Sequence, residues 1–131
     1  MENTNYLKSY IGNTVNIKFL EKIPIASFDK VTLMKLSKDF LAFKENDGTY
    51  HEAIGFNIII YPIPDNPNTQ FWDKLYKKIN VYKKINVYLD DYIVYRNCYH
   101  LATTNGIVDI VTEEGIHMLI CADKVLIESI S

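Results

Sequence analysis

Hydrophobic residues alternate with polar ones in short runs along most of the chain, a period of two that places every second side chain on one face of a β-strand. Val15, Ile17 and Phe19 alternate with Asn16 and Lys18 and predict a first strand. Ahead of it, Tyr6, Leu7 and Tyr10 fall at helical spacing, predicting a short helix over Asn5 to Tyr10 that Gly12-Asn13 stops. After a loop containing Pro24, a second strand covers about Phe28 to Leu36. Ser37-Lys38-Asp39 turns into a strand at Phe40-Leu41-Ala42-Phe43. Asn46-Asp47-Gly48 predicts a hairpin, because Asp-Gly accepts the positive φ of a type I′ turn. Strands at Tyr50 to Ile54 and Ile58 to Tyr61 complete the first half.

Pro62-Ile63-Pro64-Asp65-Asn66-Pro67 reads as a linker, since each proline removes a backbone donor and fixes φ. A helix is predicted to start at Asn66 with Pro67 in its first position, carrying Phe71, Trp72, Leu75, Tyr76 and Ile79 at helical spacing. A second set of strands follows at Ile85 to Leu89, Ile93 to Leu101, Ile107 to Val111, Ile116 to Cys121 and Lys124 to Ile130. Asn105-Gly106 and Glu114-Gly115 mark hairpins between them. The halves thus read as one unit written twice. Sliding Asp39–Ile63 onto Gly106–Ile130 needs no gap, sets Gly48 on Gly115, and lays Phe40, Leu41, Phe43, Ile54 and Ile59 on apolar residues. Chance alternation in two β-rich halves is the competing explanation.

Leu7-Lys8-Ser9-Tyr10-Ile11-Gly12-Asn13-Thr14-Val15-Asn16-Ile17 resembles the N-terminal helix and first strand of the small Sm-like barrels, relatives of the SH3-like barrels. Ile54-Gly55-Phe56-Asn57-Ile58-Ile59-Ile60 is similar to that family's second motif, and Ile120-Cys121-Ala122-Asp123-Lys124-Val125 is a fainter copy. The resemblance implies an all-β chain with short helices: two tandem Sm/SH3-like five-stranded barrels packed together, divided as residues 1–64 and 65–131. The family's RNA pocket needs an Asn after the hairpin Asp and an Arg in the second motif. No such Asn follows Asp39, and Cys121 stands where the Arg would be. The resemblance therefore bears on fold and not on RNA binding. Units of about 60 residues bury too little surface to be robust alone, so the halves are expected to pack on each other or on partner chains.

The whole chain of 131 residues has 14 basic and 16 acidic residues, a formal charge of −2. That balance argues against a protein whose main task is coating nucleic acid. Of the basic residues only Arg96 is an arginine, which disfavours sequence-specific base reading by bidentate contacts. The abundance of Ile, Lys, Asn and Tyr fits an AT-rich genome, bacterial or phage. No signal peptide and no apolar run of membrane-spanning length is read in the chain, and two cysteines do not make a secreted disulfide framework, so a cytoplasmic location is expected.

The charge is unevenly placed. Residues 1–64 balance, whereas the hexapeptide Lys77-Lys78-Ile79-Asn80-Val81-Tyr82 is repeated at once as Lys83-Lys84-Ile85-Asn86-Val87-Tyr88. On an extended strand Ile79, Val81, Ile85 and Val87 share one face, while Lys78, Tyr82, Lys84 and Tyr88 share the other. Replication slippage explains the repeat, and so does a Lys/Tyr strip that grips a phosphate backbone or an acidic protein. From residue 89 onward acids outnumber bases by five. Trp72 and Tyr76 either pack the linker helix on a barrel end or form an aromatic anchor at an interface. The candidate binding residues are therefore Trp72, Tyr76, Lys77, Lys78, Tyr82, Lys83, Lys84 and Tyr88.

Catalytic chemistry finds no signature. There is no nucleophile elbow, Walker loop or dinucleotide glycine motif. His51-Glu52 begins like a zincin helix but Gly55 takes the place of the second His. Cys98, His100, His117 and Cys121 have the composition of a zinc site with the wrong spacing, and Cys121 aligns with apolar Ile54, suggesting a buried thiol. No enzyme activity, metal or cofactor is expected. A protein-binding module of inhibitor, immunity or adaptor type is expected, with strand edges that permit homo-oligomers and no membrane partner. A single-stranded nucleic-acid binder using residues 77–88, and a small-ligand pocket between barrels, are the alternatives.

Overall fold

Period-two alternation becomes a sheet only when each strand finds neighbours for its backbone, and among the described residues ten strands find them in one another. The computed structural model describes residues 10–20, 27–63, 82–89 and 93–130. The strands are β1 (Thr14–Phe19), β2 (Ser27–Leu36), β3 (Phe40–Lys44), β4 (Tyr50–Ile54), β5 (Ile58–Pro62), β6 (Lys84–Tyr88), β7 (Val94–Thr104), β8 (Ile107–Val111), β9 (His117–Cys121) and β10 (Leu126–Ser129). They form one antiparallel sheet in the order β10-β6-β7-β8-β9-β5-β1-β2-β3-β4. The all-β expectation holds. The sheet is not closed: among the described residues β4 and β10 are each paired on one side only. Among the described residues there is no helix. Tyr10 lies in a turn, while residues 5–9 and the helix expected from Asn66 fall outside the described residues. No helix among the described residues is long and apolar enough to cross a membrane.

Within each half the fifth strand returns to pair with the first, β5 on β1 and β10 on β6. The halves meet where β5 pairs with β9: Ile58 opposite Cys121, Ile59 opposite Ile120 and Ile60 opposite Leu119. Alternation across this joint sends side chains to two different cores. Ile58, Ile60, Leu119 and Cys121 join Tyr10, Val15, Ile17, Leu41 and Phe43 on one side. Ile59 and Ile120 join Ile85, Val87, Val108 and Ile110 on the other. A strand covered on both faces needs a continuous apolar run rather than alternation, which is why the sequence here reads Ile58-Ile59-Ile60 without a break.

The pairing registers of the two halves correspond. Adding 67 to each number turns Phe40↔Ile54 into Ile107↔Cys121 and Lys44↔Tyr50 into Val111↔His117. The bulge between Leu33 and Lys35 in β2 recurs between His100 and Ala102 in β7. For the first strand the shift is 70, carrying Val15↔Val31 to Ile85↔Cys98 and Asn16↔Tyr61 to Asn86↔Glu128. The bulge at Asn16 is filled in the same way as the one at Asn86. Asn16 Oδ1 accepts the amide of Lys30 at 2.7 Å, and Asn86 Oδ1 accepts that of Asn97 at 3.0 Å. Lys30 and Asn97 both have positive φ, 54° and 56°.

Of the expected hairpin turns, one keeps its type and another differs in detail. Asn105-Gly106, both at positive φ between paired Thr104 and Ile107, is the two-residue type I′ hairpin. At Asn46-Asp47-Gly48 only the glycine has positive φ, and Gly48 donates to the Glu45 carbonyl at 2.9 Å. That is a type I turn ending in a glycine bulge, the longer hairpin solution, because three more residues separate the paired strands. Pro62 belongs to β5 rather than to the linker, opposite Val15, and the ladder continues as Ile63 donates to the Thr14 carbonyl at 3.2 Å. Its position at a strand end is one that lacks the need for a donor.

Candidate interaction surface

An antiparallel sheet that does not close leaves two strands with unpaired N–H and C=O groups, a template for another strand. Among the described residues those strands are β4 and β10. Both carry large apolar side chains into water: Ile54 is 79% exposed and Leu126 is 65% exposed, the two highest values among the large hydrophobics described. Their counterparts under the shift of 67, Cys121 and Ile59, are fully buried at the joint. On β4, Tyr50 donates to Glu52 at 2.9 Å, and that bond to a carboxylate holds the phenol pKa above its ordinary value.

β6 lies next to the β10 edge and holds the described part of the Lys/Tyr strip. Ile85 and Val87 point into the second core, while Lys84, Asn86 and Tyr88 take the opposite side. That side is not simply cationic. Lys84 Nζ is 3.1 Å from Glu113, which holds its pKa above the usual lysine value, and it lies over the ring of Tyr99. Asn86 and Tyr88 both donate to Glu128 Oε1, at 2.8 and 2.7 Å, and these bonds lower the Glu128 pKa. Lys83 is exposed, and its carbonyl accepts the His100 amide at 2.8 Å. Tyr82 packs against the first core and so is separated from Lys84 and Tyr88. Trp72, Tyr76, Lys77 and Lys78 lie outside the described residues.

One polar cluster is buried between the halves. Tyr10 Oη donates to Asp109 Oδ2 at 2.5 Å and lies 3.1 Å from His117 Nε2, which in turn is 2.6 Å from Asp109 Oδ1. Tyr10 comes from the turn before β1, Asp109 from β8 and His117 from β9, so the cluster pins the start of the first half to the second. The sequence places His117 beside Cys98, His100 and Cys121 as a candidate metal set, whereas its bonds here go to Tyr10 and Asp109. The missed signal is Asp109 itself, a carboxylate inside the apolar run Ile107-Val108-Asp109-Ile110-Val111, where burial demands partners. Among the described residues no group of three or more His, Cys, Asp or Glu is arranged to hold a metal ion.

Both thiols are buried in the cores, Cys121 in the first and Cys98 in the second. Burial pushes Cys98 up to about 11 and Cys121 up to about 12, and it is the thiolate that reacts. A disulfide-exchange reagent added to the native protein at neutral pH is therefore expected to titrate neither thiol until denaturant is added. Rapid labelling of the folded protein would contradict this arrangement. Compared with known proteins, the chain matches no family model, no curated protein and no solved structure.

Proposed function

We infer that the chain is a non-enzymatic protein-binding module, built of two tandem small barrels of the Sm/SH3-like kind, that engages partner polypeptides through its open strand edges. The observation that carries this reading is the pair of edges ending in exposed Ile54 and Leu126. Soluble proteins commonly blunt such edges with charge or proline, and strand addition is a recurring mode of peptide recognition. The tandem architecture is supported by the matching registers, the matching bulges, and the shared Asn16–Lys30 and Asn86–Asn97 bonds.

A single-strand nucleic-acid binder is the weaker reading. Glu113 and Glu128 share the face of Lys84 and Tyr88, where their charge opposes a phosphate backbone. The experiment is affinity capture by the tagged full chain from a native lysate, with and without nuclease, beside the Ile54→Lys and Leu126→Lys variants. A stoichiometric polypeptide that survives nuclease and is lost from a variant is the expected result. Retention that disappears with nuclease, together with oligonucleotide binding at about 50 mM salt, would overturn it.

A further inference from the structure

The open edges of this sheet are not two unrelated strands. β4 corresponds to β9 under the shift of 67, and β10 corresponds to β5. The chain already contains a pairing of β9 with β5. What the two free edges lack is therefore the partner that each of their counterparts has.

Resting on the edge-binding reading above, we propose that the partner is a second copy of this chain, whose β10 pairs antiparallel with β4 in the register of the internal joint. Subtracting or adding 67 converts Ile58↔Cys121 into Val125↔Ile54, Ile59↔Ile120 into Leu126↔Ala53, and Ile60↔Leu119 into Ile127↔Glu52. The two most exposed large hydrophobics among the described residues then fall inside the contact. Leu126 takes the role of Ile59, which leaves its own half to enter the other half's core, and so reaches the next copy's core beside Ala53 and Leu41. Ile54 takes the role of Cys121, which enters the first core, and so covers Val125 and Ile127.

Three differences between the free edges and the internal joint bear on the strength of the contact. Glu52 stands where Leu119 stands, and Ala42 and Tyr50 stand where Asp109 and His117 form the buried cluster. A carboxylate on an edge opposes pairing, and the cluster's hydrogen bonds are missing. The contact between copies is thus weaker than the joint inside the chain, and the assembly is reversible. Because β4 and β10 are different surfaces, the contact is head-to-tail. Each added copy leaves one free edge of each kind until the set closes on itself as a ring.

The test is the mass of the full chain by light scattering and sedimentation across a wide dilution series. Assemblies larger than one chain that dissociate on dilution are expected. Ile54→Lys alone and Leu126→Lys alone should each give single chains, since each lacks one half of every contact. Mixed in equal amounts they should form a two-chain complex and nothing larger, because the first retains an intact β10 and the second an intact β4. Glu52→Leu should tighten association by about tenfold or more, as expected for replacing a solvated carboxylate with a buried leucine. Circular dichroism of each variant checks that the sheet is formed.

A wild-type chain of single-copy mass at every concentration would overturn the proposal. So would assembly of either lysine variant alone, which would indicate pairing of like edges. If the chain stays monomeric but retains a different polypeptide that Ile54→Lys releases, self-assembly fails while edge binding stands. If neither self-assembly nor capture is seen, both fail.

Discussion

Replacing Asp109 by alanine is expected to cost about 3 kcal/mol of folding stability and to lower the melting temperature by about 10 °C. Asp109 is 2% exposed and is the acceptor shared by Tyr10 and His117, so its removal strips two buried polar groups of a common partner. Desolvation of such groups costs about 1–3 kcal/mol each when a bond is lost. Backbone strain is not the cause, because the corresponding strand position in the first half is alanine: Ala42 is fully buried opposite Glu52. Tyr10→Phe, which removes only the hydroxyl, is expected to cost about 1 kcal/mol. The double variant Asp109→Ala with His117→Ala should be less damaging than the sum of the single ones, since the two residues share bonds. Urea unfolding of the wild type, the three single variants Asp109→Ala, His117→Ala and Tyr10→Phe, and the double variant measures all of these effects. An Asp109→Ala variant with wild-type stability would show that the cluster does not pin the halves.

Much of the fold is legible in the sequence because antiparallel strands declare themselves locally. Val15, Ile17 and Phe19 alternate, and each is buried in β1. Ile85 and Val87 face inward while Lys84 and Tyr88 face outward, as period-two alternation requires. The ungapped correspondence of residues 39–63 with 106–130 is also local in origin, since hairpin lengths fix register, and β3–β4 and β8–β9 are hairpins of equal length. The pairing of β5 with β9 is a different matter. It joins strands about sixty residues apart, and its traces in the sequence are the unbroken runs Ile58-Ile59-Ile60 and Met118-Leu119-Ile120-Cys121, which short apolar patterning reads simply as two more strands. The Tyr10–Asp109–His117 cluster is likewise long-range: Asp109 announces a buried polar group, but nothing nearby names Tyr10 as its partner. Charge patterning misleads for the same reason. Five lysines in residues 74–84 read as a basic strip, yet Glu113 and Glu128, which temper it, come from later in the chain.

Ile59→Ala and Leu126→Ala are expected to differ by about 3 kcal/mol although the two residues hold corresponding places on corresponding strands. Ile59 is fully buried, opposite Ile120 and inside the second core, so truncation removes buried methylenes and leaves a cavity that the surrounding strands close only in part. Such changes cost about 2–5 kcal/mol. Leu126 is 65% exposed, so the same truncation in a single chain is worth no more than about 0.5 kcal/mol. The contrast isolates one variable, the presence of a neighbouring β-strand, because the ladder on the other side of each residue has the same register. Urea unfolding at low protein concentration should show the full difference, and equal effects would mean that the β5–β9 joint does not bury Ile59. Raised concentration then separates stability from association. If β10 of one copy meets β4 of another, the cost of Leu126→Ala grows with concentration while that of Ile59→Ala does not, because linkage to assembly adds stability through the β10–β4 contact that Leu126 enters and not through the internal joint.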